Sequence, residues 1–519
     1  MKLKEMITGL DFELICGDLD TDVVDITNDS RKVVKNGLYF AIPGAKVDGA
    51  KFIPDVIRAG ADVIVTEKDV KQLSVNIEND MYMNGDFEGI DENHVTIVSV
   101  DNVRHAMGIM SSRFYGEPSK ELTVIGITGT KGKTTTSYMI KDMLELAGFK
   151  MGLVGTIEVF DGKKSTSALN TTPESITLQK IFRDMVDNGV EGVVMEVSSQ
   201  GLMLDRVAGV DFDMGVFTNL SPDHIGPNEH DSFENYRDCK KKLFSMCRKG
   251  IFNIDDENAE YMMEGSSCDC ITYGKDEFAD YRAVGHKLYT EDGEMGIEYD
   301  VDGTLEGRVK VALPGDFSIH NSLAAMIVAD IMGVDFDDIR EILSKIRVRG
   351  RVEMIPISNA FTLMIDYAHN GMSLESLLTT IREYQPKRIV TVFGCGGNRA
   401  KDRRYEMGEV SGRLSDFTII TSDNPRNEEP QLIIDDIIVG MTKTDGKYID
   451  IIDRKEAIRY AILNAEPGDV IILAGKGHED YQEIKGVKHH MDERDLIREI
   501  LEEEDASSIC GYNNRYFAE

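Results

Sequence analysis

The chain has 519 residues, 41% hydrophobic and 29% charged, an ordinary composition for a soluble globular protein. That length exceeds a single hydrophobic core, so roughly two to four domains are expected. With 58 Lys and Arg against 92 Asp and Glu, the formal net charge of −34 argues against non-specific binding to nucleic acid or anionic membranes. Any anion site must therefore be a local island of Lys and Arg.

No apolar run approaches the ~20 residues that span a bilayer. The opening MKLKEMITGLDFEL lacks a secretory apolar core, so a cytoplasmic protein without membrane insertion is expected. Residues 1–105 read as a small α/β domain, with strand-like runs Leu38 to Ile42 and Val63 to Val65 around a helix near Ile53 to Ala59. Asp29-Ser30-Arg31 is by itself a polar turn. Residues 76–93 are polar and acidic and read as a surface loop, and Tyr115 to Ser119 as a linker.

The most informative stretch is VIGITGTKGKTTTSYMIKDMLELAG, residues 124–148. Val124 to Ile127 reads as a buried strand. Met139, Ile140, Met143, Leu144 and Ala147 form the apolar side of a helix closed by Gly148. Between them lies Gly129-Thr130-Lys131-Gly132-Lys133-Thr134-Thr135. Strand, glycine turn and helix form a phosphate cradle, in which backbone N–H groups and the positive helix end face an anion. Lys133 would reach the β/γ-phosphates of ATP, and the Thr134 hydroxyl would ligand Mg²⁺. The general loop has a glycine five positions before Gly132. Here that position is Ile127 and the glycine is Gly129.

Asn170-Thr171-Thr172-Pro173 precedes an amphipathic helix running to Asn188-Gly189. The strand Gly192 to Val197 then leads into Ser198-Ser199-Gln200-Gly201, placing Glu196 at its carboxyl end. There it could hold Mg²⁺ near Thr134, or simply be solvated. A strand from Met214 to Thr218 leads into Asn219-Leu220-Ser221-Pro222-Asp223-His224, so His224 also follows a strand end. The expected helix Phe233 to Cys247 carries Lys240-Lys241-Lys242, which alone reads as a solvated basic patch. Residues 250–314 read as short strands without evident chemistry. Cys268 and Cys270 are too close for a usual metal pair, so reduced structural thiols are expected. Gly315 to Ala325 opens a helix that Ser318 could cap.

Arg347-Val348-Arg349-Gly350-Arg351 marks the entry to a last domain, 347–519, leaving 106–346 as the central one. Four strands there end in polar clusters. Phe361 to Ile365 ends in Asp366-Tyr367-Ala368-His369. Arg388 to Phe393 ends in Gly394-Cys395-Gly396-Gly397-Asn398-Arg399. Phe417 to Thr421 ends in Ser422-Asp423-Asn424-Pro425-Arg426, and Asp469 to Leu473 in Ala474-Gly475-Lys476-Gly477-His478-Glu479. Helical patterns separate them, so this domain is expected to be doubly wound with the clusters at one crevice. The predicted class is α/β: an N-terminal domain, a central P-loop ATPase domain and a Rossmann-like C-terminal domain.

The short G-T-x-G-K-T-T loop, the Thr218-to-His224 motif, a lysine four residues after Tyr236, the Gly315-to-Ala325 element and the Asp-Asn-Pro-Arg box together resemble the Mur ligases, which build peptidoglycan precursors. The resemblance implies ATP-dependent amide ligation through an acyl phosphate. It gives catalytic roles to Lys133, Glu196, His224 and Lys240. Thr134, Glu196, His224 and Lys240 would hold two Mg²⁺, with Lys240 carbamylated by CO₂. Gly129 to Thr135, Asn321, Arg351, Asp366 and His369 would hold the nucleotide. Ser30, Thr171, Thr172, Ser198 and Arg206 would hold UDP-N-acetylmuramoyl-L-Ala-D-Glu. Arg399, Asp423, Asn424, Arg426, Gly475 and Glu479 would hold the incoming diamino acid. The Asp-Asn-Pro-Arg form goes with meso-2,6-diaminopimelate, whose extra carboxylate suits an arginine fork.

Only small-molecule partners and a monomer are expected. Lys131, Gln200, Leu204, Ser318, the stretch Ser221 to His230, and Asn370-Gly371 depart from the usual family pattern. Most of these departures fall on the acceptor side and leave open a relative that acts on a different acidic acceptor; a relative that adds L-lysine or another amino acid is a further alternative. A nucleotide-binding regulatory protein without turnover is the reading from another class, and the intact Lys133, Thr134, Glu196, His224 and Lys240 argue against it.

Overall fold

The computed structural model describes residues 1–44, 47–67, 95–223, 225–226, 229–291 and 293–513. The expected surface loop at 76–93 and His224 lie outside these residues. The chain forms two compact units, Met1–Tyr273 and Gly274–Glu519.

In the first unit, an N-terminal sheet has the order Glu13–Cys16, Thr96–Ser99, Ala61–Thr66, Gly37–Phe40, Asp25–Thr27. All neighbours are parallel except the first pair. Alternation along the strands splits the core. Leu38, Phe40, Val63 and Val65 pack on the side of helix Val103–Phe114, while Tyr39 and Ile64 pack on the side of helix Ile53–Arg58.

The same unit holds a parallel sheet whose central strand, Thr123–Thr128, lies between Gly192–Glu196 and Phe212–Phe217. Met151–Val154 lies beyond the former and Cys247–Asn253 beyond the latter. Coverage on both faces explains the unbroken apolar run, with Val124, Ile125 and Ile127 fully buried. Helix Lys133–Leu146 buries Met139, Ile140, Met143 and Leu144. Ala147, expected on that apolar face, is instead exposed. The helix has already ended, and Gly148 at φ +94° turns the chain away. The helix expected over Phe233 to Cys247 stops at Lys241, and a 3₁₀ turn Lys242–Ser245 follows. Pairing of Cys247–Asn253 with Phe212–Phe217 takes the segment's end into the sheet, and tertiary pairing overrides helical spacing.

The second unit opens with an antiparallel meander, Tyr281–Glu291, Glu294–Gly303 and Gly307–Val311. Its first two strands run 11 and 10 residues, longer than the short strands expected. Helix Phe317–Ile331 packs against it. Ser318 donates back to Pro314 O at 3.0 Å from inside this helix and does not cap it.

A six-stranded sheet follows, in the order Glu353–Met354, Thr362–Asp366, Asp469–Ala474, Arg388–Phe393, Phe417–Ile420, Tyr448–Asp450. Only the first pair is antiparallel. Helices cover both faces. The four motif-bearing strands are thus adjacent and parallel, so their carboxyl ends lie along one edge. Among the described residues no helix is long and apolar enough to cross a membrane.

Candidate active site

The turn after Thr123–Thr128 is built from glycine and braced by the neighbouring strand's exit. Gly129 has φ +149°, and a Cβ there would stand 2.0 Å from Thr218 Oγ1. Gly132, at φ +87°, precedes the first helical residue, Lys133. Thr218 Oγ1 donates to Lys131 O at 2.7 Å. Asn219 Oδ1 accepts from Lys131 N at 2.9 Å, and its Nδ2 donates to Lys131 O at 3.0 Å. Thr130 Oγ1 lies 3.0 Å from Tyr236 OH. Thr218, Asn219 and Tyr236 therefore shape the loop, a role their motif alone does not disclose. Lys133 Nζ donates to Gly129 O at 2.8 Å and to Thr130 O at 3.1 Å. Thr135 is half-buried in the first turn, where backbone N–H groups lack intrahelical acceptors.

Glu196, the last residue of its strand, is 1% exposed. Thr134 Oγ1 donates to its Oε1 at 3.0 Å, as does Thr156 N at 2.9 Å, and Thr156 Oγ1 donates to its Oε2 at 3.0 Å. Gly155 leaves room for this carboxylate, since a Cβ there would lie 2.6 Å from Oε1. Among the described residues no Lys or Arg forms an ion pair with Glu196. A buried carboxylate beside hydroxyls, without a cationic partner, is a hard-oxygen donor set that fits Mg²⁺. No group of three His, Cys, Asp or Glu completes a metal site among the described residues, from which His224 is missing.

Beside this cluster lies a pocket of about 320 Å³ whose lining includes Thr156, Asn170, Thr171, Ser198, Gln200 and Arg206. Thr172 is buried behind it. Its hydroxyl donates to Glu196 O at 2.9 Å and accepts from Ser198 N at 2.9 Å. Arg206 donates to Thr172 O at 3.1 Å and pairs with Glu174 at 2.9 Å. Thr171, Thr172, Ser198 and Arg206 are thus brought together around one cavity. Ser30 is not among its lining residues. It begins the 3₁₀ turn Ser30–Lys32 in the first unit, where Asp29 caps Arg31 N.

Of the three consecutive lysines, helix phase buries Lys240, 1% exposed, while Lys242 is exposed. Lys240 Nζ donates to Gly129 O at 2.8 Å and lies 4.6 Å from the centre of the Tyr236 ring. Burial, and next the charge of Lys133, hold its amine well below the usual lysine range, against the opposing pull of Asp223. His230 received no role from sequence reasoning. It is fully buried, with its ring edge-on to Tyr236 at 5.2 Å and Nδ1 2.9 Å from Asn235 Oδ1. Its Nε2 has no partner among the described residues. An isolated histidine before a helix carries no spacing signal that marks it.

In the second unit, Asp366 ends its strand and accepts from Val352 N and Ala368 N, both at 2.8 Å. Burial pushes its carboxyl up, opposed by Arg351. The Tyr367 ring lies 4.6 Å from His369, 4.7 Å from His478 and 5.0 Å from the Arg351 guanidinium. Burial, then Arg351, Arg349 and Arg494, lower the His478 pKa to about 4. Asn321 is buried within helix Phe317–Ile331.

At the next tips, Asn424 Nδ2 donates to Glu479 Oε2 at 2.8 Å. Gly475, at φ +107°, keeps a Cβ off Asp423 Oδ2, which would stand 3.2 Å away. Arg426 donates from Nη1 to Gly397 O at 2.7 Å and from Nε to Glu483 Oε2 at 3.2 Å. Gly396 separates Arg426 from the exposed Arg399. These six predicted residues lie along one sheet edge. Lys476, Gln482 and Glu483, which bond to the Asp423–Arg426 box, were not singled out by sequence reasoning.

Comparison with known proteins accounts for this arrangement. The Mur ligase middle domain matches residues 127–329, the glutamate ligase domain of Mur ligases matches 350–477, and the Mur ligase family catalytic domain matches 22–115. A Clostridium acetobutylicum protein named UDP-N-acetylmuramoyl-L-alanyl-D-glutamate–2,6-diaminopimelate ligase 1 is 42% identical, covering 97% of this chain and 100% of its own. A Clostridium tetani protein of the same name, without the numeral, is 40% identical over 97% and 100%. A solved structure of such a diaminopimelate ligase aligns with a TM-score of 0.68 at 26% identity, over 97% of this chain and 99% of its own. MurF from Acinetobacter baumannii shares the fold, with a TM-score of 0.57 at 16% identity over 92% and 94%. With matching family domains along its length and relatives this similar end to end, the chain belongs to the Mur ligase family.

Proposed function

We propose that this ATP-dependent ligase adds meso-2,6-diaminopimelate to UDP-N-acetylmuramoyl-L-alanyl-D-glutamate in peptidoglycan precursor synthesis. The observation that carries the chemistry is the buried Glu196 carboxylate, 3.0 Å from the Thr134 hydroxyl at the head of the phosphate-cradling turn. The diamino acid is supported by the relatives' names and by the Asp423–Arg426 box, whose arginine suits a second carboxylate.

The γ-phosphoryl group of ATP passes to the substrate carboxylate, giving an acyl phosphate and ADP. The amine of the diamino acid attacks the acyl carbon, and inorganic phosphate leaves the tetrahedral intermediate. Lys133, now on the Gly129 and Thr130 carbonyls, would turn to the β/γ-phosphates and offset charge growing on the transferred group. Thr134 and Glu196 would hold Mg²⁺, which supplies charge neutralisation on the phosphate oxygens when bound. His224 and Lys240 would serve a second Mg²⁺, with Lys240 as its carbamate. Its burial favours the uncharged amine that reacts with CO₂.

Gly129 to Thr135 with Asn321, Arg351, Asp366 and His369 are proposed for the nucleotide. Ser30, Thr171, Thr172, Ser198 and Arg206 are proposed for the acceptor. Arg399, Asp423, Asn424, Arg426, Gly475 and Glu479 are proposed for the diamino acid. A cytoplasmic location, which its soluble nucleotide substrates support, and a monomeric state are proposed.

The test is ADP and phosphate release with Mg-ATP and the UDP-muramoyl dipeptide, comparing meso-diaminopimelate, L-lysine and no amino acid. Turnover with diaminopimelate alone is expected, and turnover with lysine alone would overturn the assignment of the diamino acid. For Lys240, CO₂-stripped enzyme should regain activity on adding bicarbonate, and activity indifferent to bicarbonate would remove the carbamate.

A further inference from the structure

We infer that Lys476 is a positioning residue of the diamino-acid pocket: its fully buried ammonium orients Asn424 and Glu479 and ties them to the hairpin that holds Arg426. The inference rests on the reading of the Asp423–Arg426 box as the site of the incoming amino acid. It gives a function to a side chain that reading leaves unused.

A lysine with no solvent exposure must place its three donors within the protein. Lys476 is 0% exposed, and its Nζ donates to Asn424 Oδ1 at 2.8 Å, Tyr481 O at 2.6 Å and Glu479 Oε2 at 3.2 Å. Asp423 Oδ1 stands 4.0 Å away. The Asn424 amide is thereby held in one orientation. Its Oδ1 also accepts from Glu483 N at 2.9 Å, and its Nδ2 donates to Glu479 Oε2 at 2.8 Å. A flipped amide would set its NH₂ group against an ammonium and a backbone N–H. Glu479 is therefore engaged through Oε2, while its Oε1 has no partner among the described residues.

The ammonium also lies close to two carboxylates, Asp423 and Glu479. Without it, like charges would share a poorly solvated site.

The third link runs through the hairpin Tyr481–Ile484 and Val487–His490. Its Gln482 donates to Asp423 O at 2.7 Å, and Glu483 accepts from Arg426 Nε at 3.2 Å. Backbone bonds join the same segments, Arg426 N to Glu483 O at 2.9 Å and Lys485 N to Arg426 O at 2.7 Å. By holding Tyr481 O, Lys476 fixes the first residue of the strand that sets the Arg426 fork. With Nε and Nη1 bound to the chain, Nη2 is the end of that fork left for a ligand carboxylate.

The test is steady-state kinetics of the full chain with each of its three substrates varied. Lys476→Met should raise KM for meso-diaminopimelate by about 10- to 100-fold, the range for losing charge-assisted bonds. KM for ATP and for the UDP-muramoyl dipeptide should stay within about threefold. Lys476→Arg should recover part of the loss. Combining Lys476→Met with Asn424→Ala should cost clearly less than the product of the single losses, because part of the effect of Lys476 passes through the Asn424 amide.

Equal shifts in all three KM values, no shift at all, or multiplicative effects in the double variant would overturn the inference. Should Lys476→Met not fold by circular dichroism, Lys476→Gln keeps a donor in the cavity and must show the same split in smaller measure. A wild type that turns over with diaminopimelate while these variants miss the split refutes the positioning role alone. A wild type that ignores diaminopimelate refutes the function it rests on.

Discussion

Replacing Gly129 tests whether the phosphate turn has the shape described. An alanine Cβ there would lie 2.0 Å from Thr218 Oγ1 and 3.0 and 3.1 Å from the Asn219 backbone O and N. Thr218 could rotate away only by giving up its 2.7 Å bond to Lys131 O, while the Asn219 backbone is held by the sheet's exit. Backbone strain at φ +149° costs about 1–3 kcal/mol, and overpacking costs about 1–3 kcal/mol more. Gly129→Ala should therefore lower unfolding free energy by about 2–6 kcal/mol. The chain has no tryptophan, so urea unfolding is followed by far-ultraviolet circular dichroism.

Function should fall further than stability suggests. The Gly129 carbonyl receives both Lys133 and Lys240, and a loop displaced by ~1 Å costs on the order of 100-fold in ADP release. Removing the nearest obstacle provides the control. Gly129→Ala combined with Thr218→Ala should be more stable than the sum of the single losses, by about 1 kcal/mol or more. An alanine variant within about 0.5 kcal/mol and twofold of wild type would refute the reasoning, as would strict additivity in the double variant.

Three other outcomes are expected. Arg426→Lys should raise KM for meso-diaminopimelate by about 10- to 100-fold and leave KM for ATP unchanged, because a point charge cannot reproduce a planar fork; unaltered diaminopimelate kinetics would deny Arg426 that contact. Burial raises the Asp142 carboxyl to about 6, so between its ordinary 3.8 and that value the folded chain binds more protons than the unfolded one. The ionised form then opposes folding, and Asp142→Asn should stabilise by about 3 kcal/mol at pH 7.5 but only about 1 kcal/mol at pH 4.5. Urea titrations at both pH values decide this, and a gain independent of pH would contradict it. His478 behaves oppositely. Its ring, lowered to about 4 from 6.5, leaves the folded chain with fewer protons in that window, so stability falls as the pH drops through it. His478→Gln should shed about 2 kcal/mol of that acid-induced loss between pH 7.5 and 4.5, and parallel stability profiles for the two proteins would exclude the effect.

Much of this protein could be read locally. Strand, turn and helix around residues 124–148 follow from an apolar run, two glycines and a 3.6-residue period, which depend on neighbours a few positions apart. The same holds for the four strand-ending clusters of the six-stranded sheet. Parallel strands joined by helices deliver their carboxyl ends to one edge whatever the order, so Asp366, Arg399, Asp423 and Glu479 could be grouped before any strand was paired.

What local spacing could not supply is which side chains meet across long separations. Register after Tyr236 picks Lys240 from three lysines in a row, but not its burial or its carbonyl partner 111 residues earlier. Thr218 and Asn219 brace a loop 87 and 88 residues before them. Lys476 reaches Asn424 across 52 residues, because strands Asp469–Ala474 and Phe417–Ile420 both flank Arg388–Phe393. The end of the helix at Lys241 and the long hairpin after Tyr281 have the same origin. Their residues fit helical or short-strand spacing about as well, and only a partner strand to pair with decides between them.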